Sequence, residues 1–148
     1  MSYDKMSRAE LVAFLQDPVR PATLATTRAD GRPHVAPIWY EVDVSPDDEV
    51  TLVWSTGADT VKGRNIRRTG QVSLCVQDDR PPFSFVTLSG VATWSDHLPD
   101  VGLWAARIGA RYMGEDRAEE YGTRNGVPGE LVVRLTPTQV VAYKDIAD

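Results

Sequence analysis

Residues 22–44 read ATLATTRADGRPHVAPIWYEVDV. Ala22–Thr27 is made of small and β-forming residues, and "RADGRP" places Asp30–Gly31 at the centre of a turn signal. A polar turn between two such runs predicts a β-hairpin. In the returning run "HVAPIWYEVDV", strand geometry puts Val35, Pro37 and Trp39 on one face. His34, Ala36, Ile38 and Tyr40 fall on the other. Pro37 has no N–H to give a ladder, so this strand belongs at a sheet edge or a bulge.

The rest of the chain extends that pattern. Upstream, "SRAELVAFL" has Ser7 three residues before Glu10, the capping-box spacing, and predicts a helix from Arg8 to Leu15. Downstream, "VTLVWS", "QVSLCVQ" and "FSFVTLSGVATWSD" read as strands, the last interrupted at Gly90. A helical region covers Asp100–Tyr121 with a break near Met113–Gly114, followed by the loop "GTRNGVPG". "ELVVRLTPTQVVAYK" supplies two final strands joined around Thr136–Pro137. The order predicts a mainly β fold, an antiparallel sheet curled into a barrel with flanking helices. With no repeat or linker in the sequence, residues 1–148 form a single domain.

Composition narrows the function. One cysteine and two histidines leave no disulfide framework, no Cys-type zinc site and no His-rich centre, so no metal is expected. There is no apolar run of membrane length and no basic-then-apolar leader at Met1–Glu10, which points to a soluble cytoplasmic protein. A net charge of −5 and a pI near 5.0 argue against nucleic acid and anionic membranes as partners.

Against that acidic background, residues 55–70, "STGADTVKGRNIRRTG", concentrate Lys62, Arg64, Arg67 and Arg68. Asp59 or Thr60 can cap a helix that ends before Gly70. Hydroxyls at Ser55 and Thr56, free amides at a helix start and nearby cations together suit an anion such as phosphate. The alternative is a helix face that is simply solvated. The stretch is no Walker loop, because GxxxxGK[ST] does not occur. Cys75, mid-strand, reads as a buried thiol, and His34 and His97 as structural or surface residues. No nucleophile–base constellation stands out, so catalysis would draw on a cofactor.

The combination "ATxxxDGxPxxxPxW" on the hairpin, K-x-R-N on the basic helix and "GxAxW" near the fifth strand resembles the pyridoxamine 5′-phosphate oxidase-like split-barrel family. More closely it resembles the branch that uses the deazaflavin coenzyme F420. The resemblance implies a six-stranded split barrel and a homodimer with cofactor sites at the interface. It implies that the ring lies against Val35, Ala36, Pro37, Ile38 and Trp39, and the phosphate near Ser55, Thr56, Lys62, Arg64 and Asn65. The implied activity is hydride transfer from reduced deazaflavin to an electron-poor double bond of a small molecule. The sequence itself singles out no general acid for the proton that must follow, and solvent, Tyr40 and His34 are the candidates. FMN on the same cradle, or non-catalytic binding of deazaflavin, haem or a tetrapyrrole, are the alternatives. Pyridoxamine phosphate oxidation itself is disfavoured, since no histidine follows His97 where those oxidases carry a substrate-holding segment.

Overall fold

The computed structural model describes residues 2–148. The first helix, α1 (Arg8–Gln16), is closed by the expected capping box. The Ser7 Oγ accepts from the Glu10 amide at 3.1 Å, and the Ser7 amide donates to the Glu10 carboxylate at 3.0 Å. The Lys144 Nζ donates to the same carboxylate at 2.6 Å. These bonds hold the Glu10 carboxyl down at about 2, against an ordinary value of 4.5. A carboxyl lowered on folding stabilises above its unfolded value and loses that contribution as pH falls through the folded one. The thermal midpoint of the wild type should therefore drop between about pH 5 and pH 2 more steeply than that of Glu10→Gln, read by parallel melts.

The hairpin forms as β2 (Ala22–Thr27) and β3 (Pro33–Ile38), in register from Thr27 opposite Pro33 to Ala22 opposite Ile38. The continuous strand expected through Tyr40 and Val44 instead breaks at Trp39–Tyr40. Residues Glu41–Val44 (β4) leave the first sheet and pair with β5 (Val50–Gly57) in a second. Next come α2 (Val61–Thr69), β6 (Gln71–Asp78), β7 (Ser84–Val91) and β8 (Thr93–Ser95). The long fifth strand thus breaks at Ala92, two residues beyond Gly90, where the chain again changes sheet. Helices α3 (Leu98–Met113) and α4 (Ala118–Asn125) follow, then β9 (Glu130–Leu135) and β10 (Gln139–Lys144). The helical region is longer at both ends than the sequence reading, and α4 takes in half of the expected loop. A short strand missed in the sequence, β1 (Asp4–Lys5), adds to β10.

Two antiparallel sheets result, ordered β1-β10-β7-β6-β2-β3 and β4-β5-β9-β8. They enclose one core in which Leu24, Leu74, Val86 and Leu88 of the first sheet meet Leu52, Trp54, Val133 and Leu135 of the second. Ile66 of α2 belongs to that core and plugs one end of the barrel. On the outer face of the second sheet, Val53 and Val132 pack against Val101 and Trp104 of α3. The strand β5 is therefore buried on both faces, which explains its unbroken apolar run. Among the described residues no helix is long and apolar enough to cross a membrane.

Candidate cofactor site

The basic stretch folds as its signals suggest. The Thr60 Oγ1 accepts from the Gly63 amide at 3.0 Å and donates to the Gly57 carbonyl at 2.7 Å, so Thr60 caps α2. Gly70 closes the helix in the left-handed conformation at φ 75°. The amides of Val61 and Lys62, in the first turn, have no carbonyl four residues back to bond, and the helix dipole leaves them positive.

The sequence-predicted residues do not all gather there. Thr56 is buried, and its hydroxyl meets that of Thr60 at 3.2 Å. Ser55, its neighbour on β5, points to the opposite face, where its Oγ is buried without a partner. Asn65 is buried too, and its amide is engaged at both ends: it donates to the Thr26 hydroxyl at 3.0 Å and accepts from Arg68 at 3.2–3.3 Å. Its place is to fasten α2 onto β2. Arg68 also donates to the Thr27 carbonyl, and Arg67 to the Ala58 carbonyl at 3.1 Å.

Lys62 and Arg64 are two residues apart and so leave α2 on different sides. Burial raises the Glu130 carboxyl, and the Lys62 charge acts on it in the opposite direction. Arg64 lines a groove of about 370 Å³ between α2 and the β2–β3 turn. Arg28, Arg32 and Arg68 line it as well, with Asp30 as the one acid, itself paired with Arg32 at 2.8 Å. Arg28 and Arg32 escaped the sequence reading. They flank the turn rather than the basic stretch, and only the fold brings the two segments together.

The strand β3 has a clear polarity. Val35, Pro37 and Trp39 are exposed, whereas Ile38 and Tyr40 are buried in the core. β3 is an edge strand, the place Pro37 requires. In an antiparallel ladder alternate residues turn their backbone groups to the free side. Pro33 and Pro37 have no N–H, so along β3 the free edge presents a single amide, that of Val35. Trp39 stacks on Tyr112 of α3 with ring centres 4.9 Å apart and planes 3° apart, and Tyr121 of α4 tilts against it at 5.9 Å. The Tyr112 hydroxyl accepts from the Tyr40 amide at 3.1 Å and donates to the Arg20 carbonyl at 2.7 Å. The sequence reading places both tyrosines in the helical region but gives neither a site role, since they are more than 70 residues downstream of Trp39.

Tyr40 is removed as a proton source. It is fully buried, its hydroxyl donates to the Leu15 carbonyl at 2.8 Å, and burial pushes its phenol up to about 12. His34 turns to the buried side of β3, where its Nδ1 has no partner.

Two curled antiparallel sheets with a capped basic helix packed at one end form a split barrel. The sequence model of the pyridoxamine 5′-phosphate oxidase family matches residues 7–144, and the chain belongs to that family. Among solved structures it is similar to a conserved hypothetical protein of Mycobacterium tuberculosis, at 25% identity and a TM-score of 0.81. That match covers 98% of this chain and 89% of the other. It is also similar to an F420 reductase, at 23% identity and a TM-score of 0.66, over 86% of this chain and 93% of that one. A third, the haem storage protein HutZ of Vibrio cholerae, is 21% identical with a TM-score of 0.67, over 90% and 93% of the two chains. Comparison with curated protein sequences gives no match.

Proposed function

We propose that this protein is a reductase that uses the deazaflavin coenzyme F420 and works as a homodimer. The observation that carries the reading is the groove of four arginines between α2 and the hairpin turn. FMN ends at its phosphate, whereas the deazaflavin coenzyme continues into a chain of glutamates, and clustered guanidinium groups suit such carboxylates. The similarity to an F420 reductase supports the same choice.

In this reading the phosphate lies at the first turn of α2, held by the Val61 and Lys62 amides and by Lys62, with the buried Thr56 supporting the Thr60 cap. The ring lies on Val35, Pro37 and Trp39, with the Val35 amide as its edge donor. Arg64 belongs to the tail groove. Asn65 lines the same groove with its amide already engaged, and Ser55, Ala36 and Ile38 act behind the surface, as supports. When bound, the reduced coenzyme supplies a hydride to an electron-poor double bond, and water supplies the proton. The chain's own part is to hold ring and substrate face to face and to exclude bulk water. The outer face of the six-stranded sheet, where Thr23, Ala25, Ser73, Cys75, Thr87 and Ser89 stand exposed or half-buried, is where a second copy would dock. No helix-sized cover of its own lies on that face, and sheet faces are ordinarily covered.

The test is a titration of oxidised and reduced coenzyme, with FMN and haem alongside. Lys62→Ala should weaken coenzyme binding roughly tenfold to a hundredfold, the loss of one charge-assisted contact. Light scattering on the same loaded sample should give twice the mass of the chain. An unchanged affinity in Lys62→Ala, or tight uptake of FMN or haem with none of the coenzyme, would overturn the reading.

A further inference from the structure

A carboxylate stands at the start of α2. Glu130 opens β9 and lies opposite Gly57, the last residue of β5. The Ala58 amide donates to the Gly129 carbonyl at 2.8 Å, so the two backbones are tied where the chain turns into α2. The Glu130 Oε1 is 3.7 Å from the point where a Cβ on Gly57 would stand, and the Thr60 Cγ2 is 3.2 Å from that point. The acid therefore flanks the cap of α2. It is half-buried, with burial raising its carboxyl and Lys62 the charge that lowers it. Asp59, the other acid at this turn, is fully exposed and 3.9 Å from Arg67. Arg64 faces the groove on the other side. The helix start thus has an anion beside its cap in addition to the Lys62 cation of its first turn, an arrangement a bare phosphate cradle does not need.

We infer that Glu130 selects the kind of phosphate this site accepts, admitting a phosphodiester and disfavouring a phosphomonoester. The inference rests on the cofactor reading above. A diester carries one negative charge, whereas a monoester carries about 1.5 to 2 near neutral pH. Lys62 and the helix amides balance one such charge. A second charge on the ligand meets the Glu130 carboxylate at short range, where repulsion is weakly screened. FMN is a monoester. The deazaflavin coenzyme holds its phosphate as a diester, between the ring's polyol and the tail.

Wild type, Glu130→Gln and Lys62→Ala should be titrated with FMN, with riboflavin and with oxidised deazaflavin coenzyme. Riboflavin has the ring of FMN and no phosphate. In Glu130→Gln, FMN should bind about tenfold tighter, riboflavin as in wild type, and the coenzyme within about threefold of wild type. FMN affinity that does not change, or that rises only in step with riboflavin, overturns the inference. A Glu130 that merely complements the positive end of α2 would give a lower thermal midpoint and an unaltered FMN-to-coenzyme ratio, which also overturns it. Lys62→Ala with unchanged coenzyme affinity defeats the cofactor reading alone, and the FMN response of Glu130→Gln still decides the role of Glu130.

Discussion

Gly63→Ala should destabilise the protein by about 3 kcal/mol and abolish coenzyme binding in whatever fraction remains folded. Gly63 is in the first turn of α2, and that turn lies directly on the end of β5. A Cβ there would stand 2.0 Å from the Gly57 carbonyl oxygen, 3.0 Å from the Thr60 Oγ1 and 3.1 Å from the Ala58 carbonyl oxygen. Two of those atoms are backbone, so relief requires α2 itself to move. Movement breaks the Thr60 cap and draws Ile66 from the core, and it carries the Val61 and Lys62 amides away from the phosphate position proposed above. Gly102→Ala in α3 is the control. Its new Cβ would meet nothing closer than 3.9 Å, so the better helix propensity of alanine should add about 0.5–1 kcal/mol. Chemical denaturation of the two variants separates a clash from a general intolerance of helix-glycine replacement.

Arg111→Met should cost about 2–4 kcal/mol at neutral pH, although Arg111 meets the proposed ligand site only through Tyr112, whose ring centre is 5.7 Å from its guanidinium. The Arg111 side chain is only 10% exposed. It donates to the Leu15 carbonyl at 2.8 Å and the Gln16 carbonyl at 3.3 Å, and so closes the negative end of α1 from α3. Its Nε lies 3.6 Å from the Glu41 carboxylate. Its guanidinium is 5.2 Å from the ring centre of Tyr40. One side chain therefore ties α1, β4 and α3 to the end of the barrel. Burial raises the Glu41 carboxyl, and Arg111 is the leading influence in the other direction. Removing the guanidinium raises that carboxyl further. A carboxyl raised on folding stabilises below its unfolded value and loses that contribution as pH climbs through the folded one. The Arg111→Met deficit should accordingly be larger at about pH 7 than at about pH 4, and Glu41→Gln should restore part of it. Urea melts at the two pH values read both effects.

The elements that sequence reading locates well are those with local signals. The β2–β3 hairpin has strand periodicity on both sides of an Asp–Gly turn. The bounds of α2 are marked by a threonine cap and a left-handed glycine, and α1 by its capping box. The two sheet changes escaped because nothing interrupts the pattern there. At Trp39–Tyr40 the exposed–buried alternation runs on unbroken while the hydrogen-bond partner changes from β2 to β5. At Val91–Thr93 the nearby Gly90 is the stronger local cue, yet the break falls at Ala92. The candidate site divides in the same way. Lys62, Arg64 and Thr56 are readable within one segment. Arg28, Arg32, Tyr112, Tyr121 and Glu130 join only through long-range packing, and their chemistry is ordinary until the fold supplies neighbours. Ser55 shows the converse, a residue of apt chemistry whose strand face turns it away from the face that carries Thr56.

The prolines of β3 have a second consequence. A strand at the end of a six-stranded sheet, with Val35 and Trp39 exposed beside it, is an open template on which another chain could assemble a seventh strand. Adding a strand needs a row of donors along the edge, and Pro33 and Pro37 leave one. The same two residues that leave β3 a lone free amide guard the chain against edge-to-edge aggregation. Replacing either to reshape the pocket would open a route to insoluble protein, so the rim of this site is also a solubility device.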